Sequence, residues 1–458
     1  MIKKRMAIIG GGISGLSACF FAKQKFGDTI DLVLYEKDHR LGGAIGITRE
    51  NGYVADWGPN GFLNREPLTL EFVRQIGLQD KLYPSNSKSE KRFIYHNDRL
   101  WEISAHPIKF MTGGLLSLPG RLRIGMEYFV RRKADETDES IFDFAVRRIG
   151  PEAAEILIDP MVSGIFGGDA RELSLGACFP VMEKMEREYG GLIKAMIKKK
   201  RVTGIDGQKA GPAGPAGHLT SFRGGLFTLI EKLEEILGSY IRRGEKIEGI
   251  VKKDNGQYRI LTPIAQADFD FVILAVPSYI AGQLLESVAP ETTELLNKIP
   301  YSNLAVVCQG YNISDIKRPL DGFGFLVPHN QNLEILGSIW TSVIFPEQAP
   351  EGYVLFRTML GGARNNEIIE SGEKGLGDLA HRRLANIMGI KSGPSFQKII
   401  IWRKGIPQYT LGHRERLARI EDNVGRFGNI FLAGNAYTGV SLNESIKRSC
   451  NIVESIKI

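Results

Sequence analysis

The feature that most constrains the fold is a glycine-rich turn near the start of the chain, set between a buried strand and a helix. An apolar run over 6–9 predicts the strand, and a helical segment follows the turn to about residue 26. A second strand is predicted at Ile30–Tyr35 and is followed at once by Glu36. This order is a βαβ unit, so the sequence predicts an α/β fold with a doubly wound sheet.

The turn itself fits the pattern G-x-G-x-x-G. Its residues are Gly10, Gly12, Ile13, Ser14 and Gly15. In this pattern the first glycine allows a tight turn, the second lets backbone N–H groups approach a pyrophosphate, and the third lets helix and strand pack closely. The helix N-terminus favours the negative charge of the phosphates. Glu36 comes about 20 residues later, where a carboxylate accepts hydrogen bonds from ribose hydroxyls, which favours FAD or NAD over a 2′-phosphorylated cofactor.

Composition excludes several classes of protein. The chain has 458 residues, of which 43% are hydrophobic and 24% charged, so it is globular, with about three domain-sized units, and not collagen-like, disordered or a disulfide scaffold. A net charge of +7 is mild for this length, and one short basic run at 198–201 does not predict nucleic-acid binding. The four cysteines and seven histidines are scattered without metal-ligand spacing, so no metal site is expected, and reduced thiols indicate the cytoplasm.

Further helices and strands are predicted along the rest of the chain. The predictions are a helix at 141–149, an exposed Gly/Pro-rich loop at 204–217, a helix at 222–237, a hairpin at 247–262, a strand at 269–276, and a final strand and helix at 429–433 and about 440–456. Strands and helices of the kind found in dinucleotide-binding domains therefore lie at the start, the middle and the end of the chain, with other segments between them.

The residues directly after Glu36 extend the nucleotide-binding pattern. They are Arg40, Leu41, Gly42 and Gly43. An arginine near the pyrophosphate and two glycines that admit close backbone approach enlarge the site beyond an NAD-type turn. Together with Glu36 they match ExxxRxGG, through which the chain resembles the flavin-dependent amine oxidase superfamily. Because G-x-G-x-x-G occurs once, no second nicotinamide domain is expected, and the resemblance implies that molecular oxygen or another small acceptor reoxidises the flavin.

Other motifs narrow the resemblance. They are DPMVSGIFGGD at 159–169, ELSL at 172–175, GFGFLVP at 322–328, MLGG at 359–362 and IPQYTLGH at 406–413, the last being the most specific. Through them the chain resembles the protoporphyrinogen oxidases of haem biosynthesis from residue 8 to residue 445. The reaction implied is the six-electron oxidation of protoporphyrinogen IX to protoporphyrin IX in three flavin cycles, with oxygen reduced to hydrogen peroxide.

The resemblance also implies site residues. For FAD these are Gly10, Gly12, Ile13, Ser14, Gly15, Glu36, Lys37, Arg40, Leu41, Gly42, Gly43, Ala44, Gly58, Pro59, Asn60, Gly61, Ile247, Gly434, Asn435, Val440, Ser441 and Leu442. For the porphyrinogen substrate they are Arg92, which would pair with a propionate, and Phe323, Leu326 and Met359, which would sandwich the tetrapyrrole. A flat porphyrinogen needs an apolar slot and a cation for each carboxylate that it desolvates. No catalytic base is named, because the task of the protein in this chemistry is orientation.

The fold implied is a discontinuous FAD-binding domain of the amine-oxidase type, a mixed-sheet substrate domain and a helical insertion. The expected bounds are 1–62, 218–277 and 405–458 for the first, 63–92 and 278–404 for the second, and 93–217 for the third. In this family the insertion can dock on a bilayer, and apolar residues around 108–118 with Lys109, Arg121 and Arg123 nearby fit such contact, a domain core or a channel wall. The expected location is cytoplasmic, with peripheral contact at the inner face of the membrane left open, as is a homodimer.

Three alternatives stay open. Coproporphyrinogen III, with four carboxylates where protoporphyrinogen has two, shares these motifs, and an extra pair of cations in the slot would favour it. An amine oxidase or carotenoid-type desaturase on the same fold is more distant, since Cys450 lies ten residues beyond Val440, too deep in the helix to hold a covalent flavin. A flavin-holding interaction protein without turnover is the third.

Overall fold

The computed structural model describes residues 3–104, 107–202 and 217–458, so nearly all of the loop predicted at 204–217 lies outside the described residues. The strands are β1 Lys4–Ile9, β2 Ile30–Glu36, β3 Ile47–Glu50, β4 Tyr53–Asp56, β5 Phe62–Leu63, β6 Leu82–Pro84, β7 Phe93–His96, β8 Arg99–Glu102, β9 Leu219–Phe222, β10 Ile241–Arg243, β11 Gly249–Lys252, β12 Tyr258–Leu261, β13 Gln266–Phe269, β14 Phe271–Leu274, β15 Tyr301–Asn312, β16 Gly324–Leu326, β17 Ile335–Trp340, β18 Tyr353–Gly361, β19 Phe396–Pro407 and β20 Ile430–Leu432. The helices are α1 Ile13–Phe26, α2 Pro67–Gln75, α3 Pro107–Thr112, α4 Leu118–Gly125, α5 Ile141–Ile149, α6 Pro151–Ala153, α7 Asp159–Phe166, α8 Leu175–Cys178, α9 Pro180–Tyr189, α10 Leu192–Val202, α11 Thr228–Leu237, α12 Ser278–Leu285, α13 Pro290–Asn297, α14 Thr341–Ile344, α15 Gly372–Met388, α16 His413–Gly425 and α17 Leu442–Ser455.

The first large sheet is parallel, with strand order β10-β2-β1-β14-β20. Side chains of β1 alternate between its two faces: Met6 and Ile8 join the core that includes α1, α11 and α17, whereas Ala7 and Ile9 join the core that includes α12, α13 and α16. This is the pattern of a strand buried on both faces. The predicted doubly wound α/β fold is confirmed, and the hairpin predicted at 247–262 is present as β11 and β12.

The second large sheet has seven strands in the order β19-β15-β18-β17-β16-β7-β8. Neighbouring strands are antiparallel except β16 and β7, so the expected mixed sheet is present. One face packs on α15 through buried Leu376, Ala380 and Leu384. The opposite face meets the β3–β4 hairpin, where the ring of Tyr53 stacks on Phe396 with 4.6 Å between centroids. This second face bears the substrate candidates on β16 and β18.

The predicted division into three units stays a prediction, but strand pairing argues for one later boundary. β7 and β8 belong to the seven-stranded sheet, so the chain leaves that sheet after Glu102 and not after residue 92. β19 also runs without a break across the expected boundary between 404 and 405.

One predicted helix begins later than expected. The helix expected from Phe222 begins at Thr228, and Phe222 instead ends β9. Gly224 and Gly225 turn the chain between them with φ angles of +85° and +95°, in the left-handed region that favours glycine. The sequence pattern of apolar residues did not distinguish the strand end from the helix start.

One predicted strand is divided in two. The apolar run at 269–276 forms β13, in the antiparallel sheet of β11–β13, and β14, in the parallel sheet. Asp270 separates them, and its carboxylate accepts hydrogen bonds from Lys4 Nζ at 3.0 Å and Arg5 N at 2.9 Å. These bonds fix the position of Asp270 against β1.

Helices α4–α10 form the body of the insertion. Arg148 is fully buried there and makes ion pairs with Glu127 and Glu186, which ties α5 to the turn after α4 and to α9. Large apolar side chains are exposed on α4 and the following turn, at Leu118, Leu122, Met126 and Phe129. In the part of the chain that the structure describes, no helix is both long enough and apolar enough to cross a membrane.

Candidate flavin and substrate site

The glycine-rich turn has the geometry of a phosphate-binding turn. A Cβ at Gly15 would lie 1.8 Å from the oxygen of Gly10, so only glycine lets α1 pack against the end of β1. At Gly12 a Cβ would meet only Gly43 Cα, at 4.0 Å, which leaves the space in front of the turn open to a ligand. Gly12 precedes α1 and gives it no side-chain cap, so the first N–H groups of the helix remain available to an anion.

Glu36 lies beside the turn at the end of β2 and is buried. Its carboxylate accepts hydrogen bonds from Gly11 N at 2.7 Å and from Asp38 N at 2.9 Å, one to each oxygen. Each oxygen keeps a further lone pair for a ribose hydroxyl. The segment that contains Ile247 is brought alongside, because Glu245 N donates to the Glu36 carbonyl at 3.0 Å.

Arg40 holds the loop that follows. Its guanidinium donates to the carbonyl oxygens of Leu41, Gly43 and Ile45 at 2.6–2.9 Å. A backbone hydrogen bond of 2.8 Å joins this loop to the glycine-rich turn. Arg40 therefore shapes the cofactor loop through its carbonyls. The side chain of Lys37 is exposed and its Nζ lies 3.9 Å from a carboxylate oxygen of Asp38, so we expect only the backbone of Lys37 to reach the cofactor.

The third cofactor segment, 58–61, packs against the second. A Cβ at Gly58 would lie 2.1 Å from the oxygen of Ala44, so the two segments can approach this closely only with glycine there. Asn60 is buried, and its Nδ2 has no hydrogen-bond partner among the described residues. A buried donor without a partner costs about 1–3 kcal/mol. This donor, the open space at Gly12 and the free lone pairs of Glu36 together fit a bound FAD.

The C-terminal helix joins the other three segments. Asn443 Nδ2 donates to Leu63 O at 2.9 Å, and Ser449 Oγ donates to Ser14 O at 2.8 Å. α17 thus runs beside α1, and at 1.5 Å per residue its first residue lies about 10 Å along the axis from the contact with Ser14. Residues 440–442 therefore stand ahead of the phosphate-binding turn, where the flavin ring is expected.

The turn before α17 is held by the most specific motif of the sequence. Gly434 has φ +129°, and the carbonyl of Asn435 accepts a hydrogen bond from the Tyr409 hydroxyl. The ring of Tyr409 stacks on His413 with 4.4 Å between centroids. Burial lowers the pKa of His413 to about 4, so this imidazole is neutral at neutral pH. The motif at 406–413 therefore supports the turn before α17 through Tyr409 and an uncharged His413.

Arg92 and Phe323 come together where β7 meets β16. The guanidinium carbon of Arg92 lies 5.1 Å from the centroid of the Phe323 ring. Arg92 makes no ion pair with any carboxylate of the described residues, and desolvation lowers its pKa. A guanidinium held over an aromatic ring without an anionic partner can bind a substrate carboxylate.

The other two substrate candidates lie in one row across the same sheet. Leu326 pairs with Gly337 on β17, and Gly337 pairs with Met359 on β18. Residues paired directly across strands project from the same face, so Leu326 and Met359 flank a position that has no side chain. Ile94 pairs with Leu326, and Arg92 precedes Ile94 by two positions, which places Arg92 on this face as well. The structure thus brings a cation and an apolar groove to one face.

Residues 13–456 match the family described as flavin containing amine oxidoreductase. The chain belongs to this family. It is 31% identical over 461 residues to protoporphyrinogen oxidase 1 of Arabidopsis thaliana chloroplasts, covering 96% of this chain and 85% of that protein. It is 29% identical over 457 residues to the coproporphyrinogen III oxidase of Bacillus subtilis (strain 168), covering 97% of this chain and 96% of that protein.

Solved structures agree with the family. One crystal structure is of a protein from Exiguobacterium sp. 255-15 that is named as a candidate protoporphyrinogen oxidase. It superposes on this chain with a TM-score of 0.85 at 27% identity over 99% of both chains. Reduced UDP-galactopyranose mutase shares the fold, with a TM-score of 0.73 at 16% identity over 99% of this chain and 95% of that one. The predicted superfamily and the predicted cofactor FAD are confirmed, because the family contains flavin and the turn and Glu36 suit a dinucleotide.

In this flavoprotein, an ion network that the sequence analysis missed holds the substrate side together. Arg364 donates to both carboxylate oxygens of Asp159 at 2.7 Å and to Asp169 at 2.7 Å. Burial by itself raises the pKa of Asp169, but the hydrogen bonds from Arg364 lower it below its usual value overall. The network joins α7 to the chain just beyond Met359. The sequence did contain a sign of this network, because two aspartates lie in the motif at 159–169 and Arg364 closely follows the motif at 359–362.

Two further residues of the flavoprotein were missed. Arg357 precedes Met359 by two positions on β18, and Asp56 precedes Gly58 by two positions at the end of β4. Both side chains are buried, and the Arg357 guanidinium donates to the carbonyl of Gly58. A charged residue two positions from a predicted site residue in a strand lies on the same face, and this periodicity could have identified Arg357.

Proposed function

We propose that this protein is an FAD-dependent porphyrinogen oxidase that converts protoporphyrinogen IX into protoporphyrin IX. The observation that carries the proposal is that the unpaired guanidinium of Arg92 shares a sheet face with the apolar groove of Leu326, Gly337 and Met359. This combination suits a flat apolar macrocycle with carboxylates at its edge. Similarity over nearly the whole chain to relatives named as porphyrinogen oxidases supports the same substrate class.

The chain contributes binding and orientation to this reaction. When bound, FAD supplies two-electron oxidation, so three rounds account for the six electrons that separate porphyrinogen from porphyrin. The glycine-rich turn and Glu36 hold the adenosine diphosphate end, and residues 58–61 and 440–442 hold the flavin end. The groove buries the macrocycle and Arg92 fixes its edge through parallel N–H···O bonds to a propionate. Molecular oxygen is the proposed final acceptor, with hydrogen peroxide as the product.

The choice between two porphyrinogens rests on the number of cations. Arg92 is the cation proposed to pair with a propionate, and protoporphyrinogen IX, with two carboxylates, needs fewer such partners than coproporphyrinogen III, with four. The similarity to the Bacillus subtilis relative supports coproporphyrinogen III as the alternative substrate.

Peripheral contact with a membrane is part of the proposal. Leu122, Met126 and Phe129 are 55%, 57% and 78% exposed on one end of the insertion, and apolar side chains of this kind insert into the boundary of a bilayer. Flotation with anionic phospholipid vesicles tests the contact: the wild-type protein should float and Phe129→Asp should float less. Equal flotation of both proteins would remove this surface from the proposal. Cytoplasmic location and a homodimer stay predictions.

Anaerobic mixing tests the proposed reaction itself. Protoporphyrinogen IX should bleach the yellow colour of the FAD-loaded protein, and admitted oxygen should restore it with release of hydrogen peroxide. If the flavin kept its colour with porphyrinogens and bleached with primary amines, the amine oxidase alternative would replace this proposal.

A further inference from the structure

A buried guanidinium lies behind the turn that we place beside the FAD. Arg357 is 6% exposed and occupies the same face of β18 as Met359. It donates to the carbonyl of Gly58, and its Nε has no hydrogen-bond partner in the described part of the chain. Within residues 3–104, 107–202 and 217–458, no carboxylate oxygen lies within 4.0 Å of this guanidinium. A buried cation without a close counter-ion is unfavourable, so additional negative charge nearby would stabilise it.

Asp56 compensates this charge only in part. Its Oδ1 accepts a hydrogen bond from Leu226 N at 3.1 Å and its Oδ2 accepts one from Gln348 Nε2 at 3.0 Å, so neither oxygen bonds to Arg357. Burial raises the pKa of Asp56 to about 7, although Arg357 acts in the opposite direction. Near neutral pH the negative charge of Asp56 is therefore present in only part of the molecules.

We propose that Arg357 is a positioning residue for the oxidation: it holds the Gly58 turn against the cofactor, and its positive charge favours the reduced, anionic form of bound FAD. The inference rests on the proposed function, which places FAD beside residues 58–61. FAD gains two electrons and one proton in forming the anionic reduced state, while the porphyrinogen loses two electrons and two protons, the second of which goes to solvent. A fixed positive charge near the turn raises the reduction potential, and an ionised Asp56 opposes it.

The surroundings of Arg357 leave Asp56 as the group that titrates near neutrality. The titratable side chains that act on Arg357 are Asp56 on β4 and Cys308 on β15, which is paired with Arg357 across the strands. Further charged or titratable side chains on the neighbouring elements are Arg49 and Glu50 on β3, Tyr53 on β4, Tyr301 and Tyr311 on β15, and Lys398, Arg403 and Lys404 on β19. Burial raises the pKa of the Cys308 thiol to about 12 and also raises the pKa of Tyr53. We therefore expect the effect of Arg357 on the cofactor to grow as the pH falls through about 7 and Asp56 becomes neutral.

The first experiment compares Arg357→Gln with Arg403→Gln, a matched loss of an exposed arginine on the same sheet. The reduction potential of the bound FAD is measured by dye equilibration in protein that retains the cofactor. Arg357→Gln should weaken binding of reduced FAD about tenfold relative to oxidised FAD, a shift of about −30 mV for a two-electron couple. Arg403→Gln should leave the potential unchanged. A wild-type potential in FAD-loaded Arg357→Gln would overturn the proposal.

A second variant keeps the proposal testable if Arg357→Gln does not fold. Asp56→Asn removes the opposing charge, and the asparagine oxygen can still accept from Leu226 N. Gln348 Oε1 has no partner among the described residues, so its amide can rotate to accept from the new asparagine. The potential should rise at pH 8 and change little at pH 6. A fall at pH 8, or an equal change at both pH values, would overturn the proposal.

The conservative variant separates charge from hydrogen bonding. Arg357→Lys keeps a cation, so its potential should lie closer to wild type than that of Arg357→Gln, whatever it does to FAD retention. A potential in Arg357→Lys equal to that of Arg357→Gln would refute the charge effect. A wild-type protein that binds no FAD or oxidises no porphyrinogen would refute the proposed function, whereas normal turnover with unmoved potentials would refute this inference alone.

Discussion

The proposed cofactor side and the proposed substrate side of this molecule are built in different ways. The FAD side is made mainly of backbone. The loops at 40–45 and 58–61 approach each other where a Cβ at Gly58 would collide, and the loop at 10–15 closes on itself where a Cβ at Gly15 would collide. The substrate side is made of side chains from strands far apart in the sequence, with Arg92 on one flank of the groove and Met359 on the other. We therefore expect single substitutions on the FAD side to abolish binding and those on the substrate side to weaken it by degrees.

The largest effect on cofactor binding is expected from Gly12→Val. Gly12 has φ −74° and ψ 178°, which valine tolerates, and a Cβ there meets only Gly43 Cα at 4.0 Å, so the chain should fold. The valine side chain would occupy the space left for the pyrophosphate. We expect FAD affinity to fall at least about 100-fold, or about 2.8 kcal/mol, measured by flavin fluorescence on titration.

Gly238→Ala is the matched control, because nothing lies within 4 Å of a Cβ at that position. It should keep the FAD of the wild-type protein. Yellow, FAD-loaded Gly12→Val would contradict the assignment of the turn.

The next effect is on stability and comes from Arg364→Ala on the substrate side. Removal of Arg364 leaves Asp159 and Asp169 without their shared, largely buried cation, with only Arg171 near Asp159 at 3.8 Å, and breaking such a network costs about 3–5 kcal/mol in the free energy of unfolding. Urea denaturation measures the change. Arg403→Ala, which removes an exposed ion pair with Glu370, should cost no more than about 1 kcal/mol. Equal losses in the two variants would show that the Arg364 network has no special part in holding α7.

The same network predicts a pH dependence. The folded-state pKa of Asp169 lies below the ordinary value of 3.8, so its contribution to stability is present above that value and is lost as the pH falls below it. As the pH falls from about 4 to about 3, the wild-type protein should therefore lose stability more steeply than Arg364→Ala. Urea denaturation at each pH measures the free energy of unfolding of both proteins. Parallel curves would contradict the role given to Arg364.

A smaller effect is expected from Arg92→Ala. Loss of the propionate contact should raise KM about tenfold, or about 1.4 kcal/mol, with unchanged FAD content, because Arg92 lies on the substrate face and not in the flavin loops. Steady-state porphyrin formation measures it. Arg99→Ala, which removes a guanidinium stacked on Trp101 of β8, is the control and should keep the KM of the wild-type protein. An unchanged KM in Arg92→Ala would remove Arg92 from the site.

The smallest effect is expected from Phe323→Leu. The Phe323 ring holds the Arg92 guanidinium by a cation–π contact of 5.1 Å, worth about 0.5–1 kcal/mol at an accessible site. KM should rise about two- to fivefold by this mechanism, and in the Arg92→Ala background the same change should have little effect. Full additivity of the two substitutions would show that Phe323 acts without Arg92.

The same contrast explains what could be predicted from the sequence. The FAD loops could be predicted because glycine spacing and one acidic residue specify a backbone conformation locally. The C-terminal turn could be predicted because its residues resemble a family motif. The helix start at Thr228 and the division at Asp270 were not predicted, since apolar runs do not reveal which sheet a strand joins.

The partners of the buried charged side chains were harder to predict from the sequence. The Arg364 network joins residues 195 and 205 positions apart in the chain, and the Arg357 site joins residues 299 positions apart, so only the fold brings them together. Gly337 was missed for the same reason: the groove exists because a residue without a side chain is paired between Leu326 and Met359.

The measurement that tests the central claim most directly is aerobic porphyrin fluorescence from purified, FAD-loaded protein given protoporphyrinogen IX and coproporphyrinogen III in parallel. The account predicts porphyrin formation, faster from protoporphyrinogen IX, with hydrogen peroxide as co-product. Faster turnover of coproporphyrinogen III would keep the oxidase chemistry and overturn the choice of protoporphyrinogen IX as the substrate. No porphyrin from either substrate, in protein that carries FAD, would contradict the account.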